Sequence, residues 1–270
     1  MAVTLQALYD GVRKQEEITL VAGAYGMNQE VHWIHMVEGK LISDFLEGGE
    51  IAFTTGVALN SPQELYELVE FNYQKKVAGM VINVGPYIQE IPAEVITFGD
   101  AHDFPIFEVP WRVHMANIMR YFSMQINLDE QKSMECSSAL KNAVYFPENE
   151  ELYLPTFLKY GYKREWSYCI AVMELCDQTY HVVKSAERDR LRHLIQRNIP
   201  KQSSPVMVQE IDQELVFLFT NSKDEKVSEL METVWKEITM YLPKGVRSYV
   251  GIGRSTKSIH CIGKCFHQAV

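Results

Sequence analysis

The sequence has few basic residues. Lysine and arginine together number 26 against 35 aspartates and glutamates, which gives a formal net charge of −9 over 270 residues. The basic stretch between Lys184 and Lys201 is interrupted by Glu187 and Asp189, so it predicts a solvated amphipathic helix. A chain without a basic stripe that neutralises phosphates is a poor DNA binder by itself.

Long apolar runs are absent, and cysteines are few. No stretch approaches the ~20 apolar residues that a membrane span needs, and the start of the chain lacks a secretory signal. The five cysteines are an odd number, which favours free thiols in a reducing compartment. These absences predict a soluble cytoplasmic protein with no membrane partner.

Catalytic motifs are missing too. The sequence holds no Gly-x-Ser-x-Gly elbow, no Walker loop and no dinucleotide fingerprint. His32 and His35 would face opposite sides of a strand, and His267 would point away from the helix face that Cys261 and Cys265 share. We therefore expect no enzyme activity, no metal and no cofactor.

What the first half does contain is an alternation of short β-type runs and helical runs. Helices are predicted near residues 4–14, after Ser61 and after Pro92, and Glu64 completes a Ser-x-x-Glu capping box at the second of these. Such a pattern predicts an α/β fold with a largely parallel sheet and right-handed crossovers. The predicted strands are Ile18 to Val21, Val31 to Val37, Ile51 to Phe53, Val77 to Val84 and Ile106 to Val109.

A stretch without glycine or proline runs from His114 to about Val144 and predicts one long helix. Its apolar positions form a heptad seam that Asp129 and Ser133 interrupt. Two interpretations stay open: the helix packs on its own domain, or it pairs with a second copy and transmits a signal. The seam residues are Met115, Met119, Phe122, Ile126, Cys136, Leu140 and Ala143.

Beyond Pro147 a second α/β pattern begins. Its last helix is still running at Val270 without a C-cap, so we expect the natural protein to continue. The predicted strands are Tyr168 to Glu174, Thr179 to Val183, Val206 to Gln209, Leu215 to Phe219 and Ser248 to Ile252. The predicted helices are Leu152 to Lys159, Ser185 to Arg197, one capped by Ser222 and Glu225, and one from Ser258.

Ordered motifs in the first half carry a family resemblance. They are L-V-A-G-x-x-G (Leu20 to Gly26), V-x-W-I-H (Val31 to His35), F-L-x-G-G-E-I-A-F-T-T-G (Phe45 to Gly56), A-G-M-V-I (Ala78 to Ile82), I-P-A-E-V (Ile91 to Val95) and F-P-I-F-E-V-P-W (Phe104 to Trp111). Together these segments resemble the N-terminal sensor domain of the PucR family, which comprises purine-catabolism-type bacterial transcriptional regulators. The resemblance implies a ligand-sensing domain at 1–126 and a helical linker at 127–147.

The second half is more weakly similar to the GGDEF-like middle domain of the same regulators, around Gln209 to Phe219 and at Val250 to Arg254. An active diguanylate cyclase has Gly-Gly-Asp/Glu-Glu-Phe in its hairpin, where this chain has Ile211, Asp212, Gln213, Glu214 and Leu215. Both glycines that allow close approach to the nucleotide are missing, so we expect Asp212 and Glu214 to lack that tight turn. The resemblance implies a degenerate ferredoxin/cyclase-like domain at 148–270, truncated at its C-terminal end and without cyclase activity.

The candidate ligand site lies at predicted strand ends. Thr54, Thr55 and Gly56 offer two hydroxyls and exposed N–H groups, which suit a polar ligand or anion, although a turn can also cap its own strand. Glu38, Gly85 and Trp111 also fall at strand ends, where open α/β sheets bind ligands, and this favours the ligand role. Trp111 would stack on a purine-like ring and Glu38 would accept its N–H groups. The predicted ligand-binding residues are Glu38, Thr54, Thr55, Gly56, Gly85 and Trp111.

These inferences predict the effector-sensing and dimerising region of a PucR-type regulator. A small metabolite would bind the first domain, and the long helix would transmit the change. The family resemblance implies a homodimer that contacts DNA only through a C-terminal helix-turn-helix domain, which this chain lacks. The alternatives are a nucleotide cyclase-like enzyme based on the second domain, and a dimerisation scaffold without a ligand.

Overall fold

A computed structural model describes residues 3–177, 206–240 and 245–270, with isolated positions between 178 and 205 and at 242. The chain divides into two compact units, Ala2–Gln131 and Lys132–Val270. Both are mixed α/β structures, which confirms the predicted fold class. The predicted strand at 179–183 and helix at 185–197 lie outside the described residues, apart from isolated positions.

The first unit contains a five-stranded sheet in the order β1-β5-β4-β3-β2. Strands β2 to β5 are parallel neighbours, whereas β1 runs antiparallel to β5 at one edge, so the sheet is largely parallel as predicted. The strands are β1 (Thr19–Ala22), β2 (Trp33–Met36), β3 (Glu50–Thr54), β4 (Gly79–Val84) and β5 (Ile106–Pro110).

Three helices of the first unit cover both faces of this sheet: α1 (Leu5–Val12), α2 (Pro62–Gln74) and α3 (Ala93–Ala101). The crossover helices α2 and α3 pack with Ala52 on one face, and α1 packs with Ile51 and Phe53 on the other. All residues of β3 are consequently buried, as expected for a central parallel strand. The predicted β-α-β-α-β succession is confirmed for β3 to β5.

Helix α2 begins with the predicted cap in a modified form. The Ser61 hydroxyl accepts a hydrogen bond from the Glu64 backbone N–H at 3.3 Å, and Pro62 occupies the first turn. The Glu64 carboxylate accepts from the backbone N–H of Asn60 at 2.9 Å. The capping interaction therefore reaches one residue further upstream than in a standard capping box.

The long helix α4 spans Met115–Tyr145, as predicted. Phe122 and Ile126 in its first half are buried in the core of the first unit, and Cys136 and Leu140 in its second half are buried in the core of the second. The heptad seam is thus filled by the chain's own cores, which supports the packing interpretation. A second copy that paired on this seam would first have to open those contacts.

Within the residues that the structure describes, the second unit contains an antiparallel sheet of four strands in the order β7-β8-β6-β9. Its strands are β6 (Tyr168–Cys176), β7 (Val206–Ile211), β8 (Glu214–Thr220) and β9 (Arg247–Ile252). The helices described in this unit are α5 (Leu154–Lys159), α6 (Asp224–Thr239) and α7 (Ile262–Ala269). The predicted cap at Ser222 is wrong: Lys223 is the N-cap of α6, and the Ser222 hydroxyl instead donates to the carbonyl of Thr220.

Candidate functional site

The carboxyl ends of the parallel strands meet at one edge of the first sheet. Glu38 follows β2, Thr54 ends β3 and Thr55 follows it, Gly85 follows β4 and Trp111 follows β5. The strand register is continuous from β2 to β5, so the residues predicted as a ligand site all lie along this edge. With ~4.8 Å between neighbouring strands, the exits of β3 and β5 are about 10 Å apart.

At the exit of β3, four hydrogen-bond donors surround the Glu38 carboxylate. We call these donors the β3 cradle: they are the hydroxyls of Thr54 and Thr55 and the backbone N–H groups of Thr55 and Gly56. The Thr54 hydroxyl donates to Glu38 Oε2 at 3.0 Å and the Thr55 hydroxyl to Oε1 at 2.8 Å. The Thr55 N–H donates to both oxygens at 3.0 and 3.1 Å, and the Gly56 N–H to Oε2 at 3.1 Å. In this arrangement Glu38 caps the strand exit, and its lone pairs are already used.

Trp111 lies against Gly85 at the exits of the two neighbouring strands. The Trp111 backbone N–H donates to the carbonyl of Val84 at 2.8 Å, which holds the residue beside β4. A Cβ atom on Gly85 would lie 2.6 Å from the Cβ of Trp111, so only glycine permits this approach. The Trp111 side chain is 48% exposed, which leaves part of its indole ring open for stacking.

Two residues that sequence reasoning missed connect the halves of this edge. The Tyr87 ring lies edge-on to Trp111, with centroids 5.8 Å apart, and is 52% exposed. The Ile88 carbonyl accepts from the Gly85 N–H at 2.6 Å, and a Cβ atom on Gly56 would lie 2.5 Å from Ile88 Cδ1. The loop after β4 therefore contacts both the β3 cradle and the Tyr87–Trp111 pair. The position of this loop directly after a predicted strand is the sequence feature that could have indicated Tyr87 and Ile88 as site residues.

The hairpin between β7 and β8 forms a tight turn in the second unit. Asp212 and Gln213 both have left-handed backbone conformations, with φ of 50° and 78°. This combination is that of a two-residue hairpin turn, so the expectation that the turn is lost without glycine is wrong. Asp212 accepts from Lys141 Nζ at 2.8 Å and from the Tyr145 hydroxyl at 2.5 Å, which ties the turn to α4.

These hydrogen bonds shift two pKa values in opposite directions. The Lys141 ammonium, and then the Tyr145 hydroxyl, lower the pKa of Asp212 because both stabilise its ionised form. The hydrogen bond to Asp212 is the largest cause that raises the pKa of Tyr145 to about 12, since ionised Tyr145 could no longer donate it. The turn carboxylate is therefore ionised and engaged at neutral pH.

Comparison with known families distinguishes the two halves of the chain. Residues 10–126 match the Purine catabolism regulatory protein-like family, PucR, and residues 158–270 match the GGDEF-like domain family. We call the two matched segments the PucR-family domain (residues 10–126) and the GGDEF-like domain (residues 158–270). The candidate ligand edge lies wholly in the PucR-family domain, and the hairpin at Asp212 lies in the GGDEF-like domain.

A curated relative aligns with about half of the chain. The Purine catabolism regulatory protein of Bacillus subtilis (strain 168) is 32% identical over 131 residues, which is 48% of this chain. The alignment covers 24% of that relative, so the aligned part of the chain spans about a quarter of its length. The name of this relative describes a regulator.

The GGDEF-like domain places two carboxylates side by side. The antiparallel register of β6 and β8 pairs Met173 with Leu215, which sets Glu174 next to Glu214. Burial raises the pKa of Glu214, and the Glu174 and Asp212 carboxylates add to the shift. Across the part of the chain that the structure describes, no three His, Cys, Asp or Glu side chains are grouped so that they could hold a metal ion.

The cysteines form no disulfide bonds. All five cysteines are free thiols, and Cys265 accepts a hydrogen bond from the Ile170 backbone N–H at 3.0 Å. Within residues 3–177, 206–240 and 245–270, no helix combines the length and apolar character needed to cross a membrane.

Proposed function

We propose that this chain is the effector-sensing portion of a PucR-type transcriptional regulator. The observation that carries the proposal is the convergence of the β3 cradle and the half-exposed Tyr87–Trp111 pair at the carboxyl edge of a parallel sheet. Open α/β sheets bind small molecules at this edge. The matches to a PucR-family domain and to a named regulator support a regulatory role.

The chemistry of the edge suits a small polar molecule with a planar part. The indole of Trp111 offers a stacking surface beside Tyr87. The partly exposed Thr55 hydroxyl, which donates its proton to Glu38, can still accept a hydrogen bond from a ligand. A purine-like or ureide-like nitrogen metabolite combines these features. The identity of the relative, a purine catabolism regulator, places such metabolites first among those to test.

Helix α4 is the element that we propose transmits binding. It contributes Phe122 to the core of the PucR-family domain and Leu140 to the core of the GGDEF-like domain, so a shift of its first half acts on both. An effector that prefers one arrangement of the helix by ~1–3 kcal/mol would change DNA occupancy several-fold. We further propose a cytoplasmic homodimer that contacts DNA through a helix-turn-helix domain outside this chain.

The test is calorimetric unfolding of the chain against purines, ureides and related nitrogen metabolites. A ligand at 100 times its dissociation constant stabilises the folded state by ~2.7 kcal/mol, which raises the melting temperature measurably. Thr55→Ala and Trp111→Ala are expected to abolish the rise. Trp33→Ala is the matched control, because Trp33 is an exposed tryptophan at the opposite end of the parallel strands.

Two results would count against this function. No rise for any compound would favour a dimerisation scaffold without a ligand. A rise that survives both Thr55→Ala and Trp111→Ala would place the binding site away from this edge.

The adjacent carboxylates Glu174 and Glu214 favour one second candidate, a nucleotide cyclase-like activity. Two features oppose it: Asp212 is held by Lys141 and Tyr145, and the glycines of an active hairpin are absent. We therefore propose that the GGDEF-like domain is a dimerisation or relay module rather than an enzyme. Incubation of the chain with GTP and Mg²⁺ should yield no cyclic product, and product formation would revive the enzyme candidate.

A further inference from the structure

We propose that the β3 cradle is a carboxylate-binding site, and that Glu38 is an internal occupant which a carboxylate-bearing effector displaces. This inference rests on the proposed sensing function and names the chemical class of its ligand. It also assigns Glu38 a role other than that of an acceptor for ligand N–H groups.

The β3 cradle is built for a carboxylate group. Its four donors, two hydroxyls and two backbone N–H groups, all reach the two oxygens of Glu38 at 2.8–3.1 Å. Backbone N–H groups and hydroxyls directed at one anion bind it even without a cationic side chain. Any free carboxylate with the same planar shape would find the same donors if Glu38 moved away.

The segment that carries Glu38 is exposed between two buried anchors. Val37 and Leu46 are buried, whereas Leu41 and Phe45 between them are 85% and 76% exposed. The ion pair of Asp44 with Lys75, at 3.5 Å, is at the surface, where such pairs contribute ~0–1 kcal/mol. The residues that follow Glu38 in this segment are therefore weakly held to the rest of the domain up to Phe45.

Exchange of one carboxylate for another conserves the charge in the cradle. The tethered Glu38 competes at a high effective concentration, in the millimolar range or above for a short linker, so a bare carboxylate binds the wild-type chain poorly. An effector overcomes this competition through a second contact, for which the Tyr87–Trp111 pair is placed on the same edge. The cradle would thus select effectors that carry both a carboxylate and a planar or apolar part.

Removal of Glu38 provides the direct test, with formate as the probe. The Glu38→Ala chain should melt at a lower temperature than wild type, and formate at a few times its dissociation constant should raise that temperature by about 2–4 °C. Chloride at the same concentration should not raise the melting temperature of this variant. Wild type should need at least about tenfold more formate for the same rise, because the tethered carboxylate competes.

Three further samples make the test specific. Glu64→Ala is the matched control, since it removes another carboxylate that accepts a backbone N–H, and formate should not rescue it. The Glu38→Ala, Thr55→Val double variant should lose the response, because one hydroxyl donor is gone. Glu38→Gln replaces the alanine variant if that variant does not fold. The glutamine amide cannot accept a hydrogen bond from every donor of the cradle, so formate should still raise the melting temperature of Glu38→Gln.

The outcomes separate this inference from the proposed function. A formate response confined to the Glu38 variants supports the carboxylate site even if no metabolite stabilises wild type, in which case the sensing function fails alone. Metabolites that stabilise wild type, with no formate response in either Glu38 variant, would overturn the carboxylate site alone. An equal formate response in wild type and Glu38→Ala would also overturn it, since formate would then bind elsewhere. Inorganic phosphate in place of formate should give a smaller rise, and an equal or larger one would contradict selection for a planar anion.

Discussion

Asp212 stands at a hairpin turn where its carboxylate accepts hydrogen bonds from Lys141 and Tyr145. Its pKa is lowered in the folded state, so the interaction stabilises the fold above the unfolded value of about 3.9 and is lost as the pH falls through the lower folded pKa. Since the pair is half exposed, its contribution is small and sensitive to salt. The hydrogen bonds from Lys141 and Tyr145 therefore act locally, by holding the hairpin turn against α4.

The titration of Tyr145 tests this contact. In Asp212→Asn the pKa of Tyr145 should fall from about 12 towards the ordinary value near 10, because the ionised acceptor is gone. The tyrosinate absorbance of each chain is compared with that of its Tyr145→Phe counterpart, which isolates one of 14 tyrosines. Asp103→Asn is the control, since Asp103 is another aspartate with a left-handed backbone, at φ 50°. An unchanged Tyr145 midpoint in Asp212→Asn would contradict the contact.

At the scale of elements, α4 shows how one apolar seam serves two cores. Its first half is buried against the PucR-family sheet and its second half against the GGDEF-like sheet. The heptad spacing alone is equally compatible with pairing to a second copy, because a seam has the same period in both cases. The polar interruption at Asp129 and Ser133 is the sequence feature that coincides with the change from one core to the other.

Truncation of seam residues tests which interpretation holds. Phe122→Ala should destabilise the first unit by about 3–5 kcal/mol and Leu140→Ala the second by about 2–5 kcal/mol, at any protein concentration. Met124→Ala, at an exposed position of the same helix, should change stability by less than about 0.5 kcal/mol. Denaturant unfolding at several protein concentrations measures all three. A loss that appears only at concentrations where the chain dimerises would favour the intermolecular seam.

Local signals identified most elements, and they failed where a competing local arrangement was available. The Ser61 cap was found because Pro62 and Glu64 accompany it. At Ser222 the same type of signal was misleading, since that hydroxyl bonds to the preceding strand and the helix begins one residue later. The sequence around Asp212 lacks glycine, yet strand pairing on both sides holds Asp212 and Gln213 in the left-handed backbone that glycine adopts most easily.

The whole chain consists of two compact units that share one helix. Each unit has its own sheet and its own buried apolar cluster, which is the physical requirement for independent folding. The net charge of −9 is distributed over a chain whose sequence contains no uninterrupted basic stripe.

Separate expression of the units tests their independence. A chain of residues 2–131 should unfold in one cooperative transition, since its sheet is covered on both faces by its own helices. It should also retain any effector response, because the candidate edge lies entirely within it. Calorimetry of this fragment beside the whole chain provides the measurement. A fragment without a cooperative transition would show that the first core depends on the second half of α4.

The sequence by itself determined the succession of elements, from the β-α-β-α-β pattern to the length of α4, because periodicity, caps and missing helix breakers act within a few residues. Tertiary structure decided the partners. Glu38 reaches donors 16 to 18 positions away, and Asp212 reaches partners 67 and 71 positions away. Such contacts exist only after strand order and register have brought distant segments together, and no local pattern specifies that order. The residues at the sheet edge could be listed from the sequence because the end of a strand is set by the residues next to it in the chain. Their hydrogen bonds could not be listed, because the bonded partners come from distant parts of the chain.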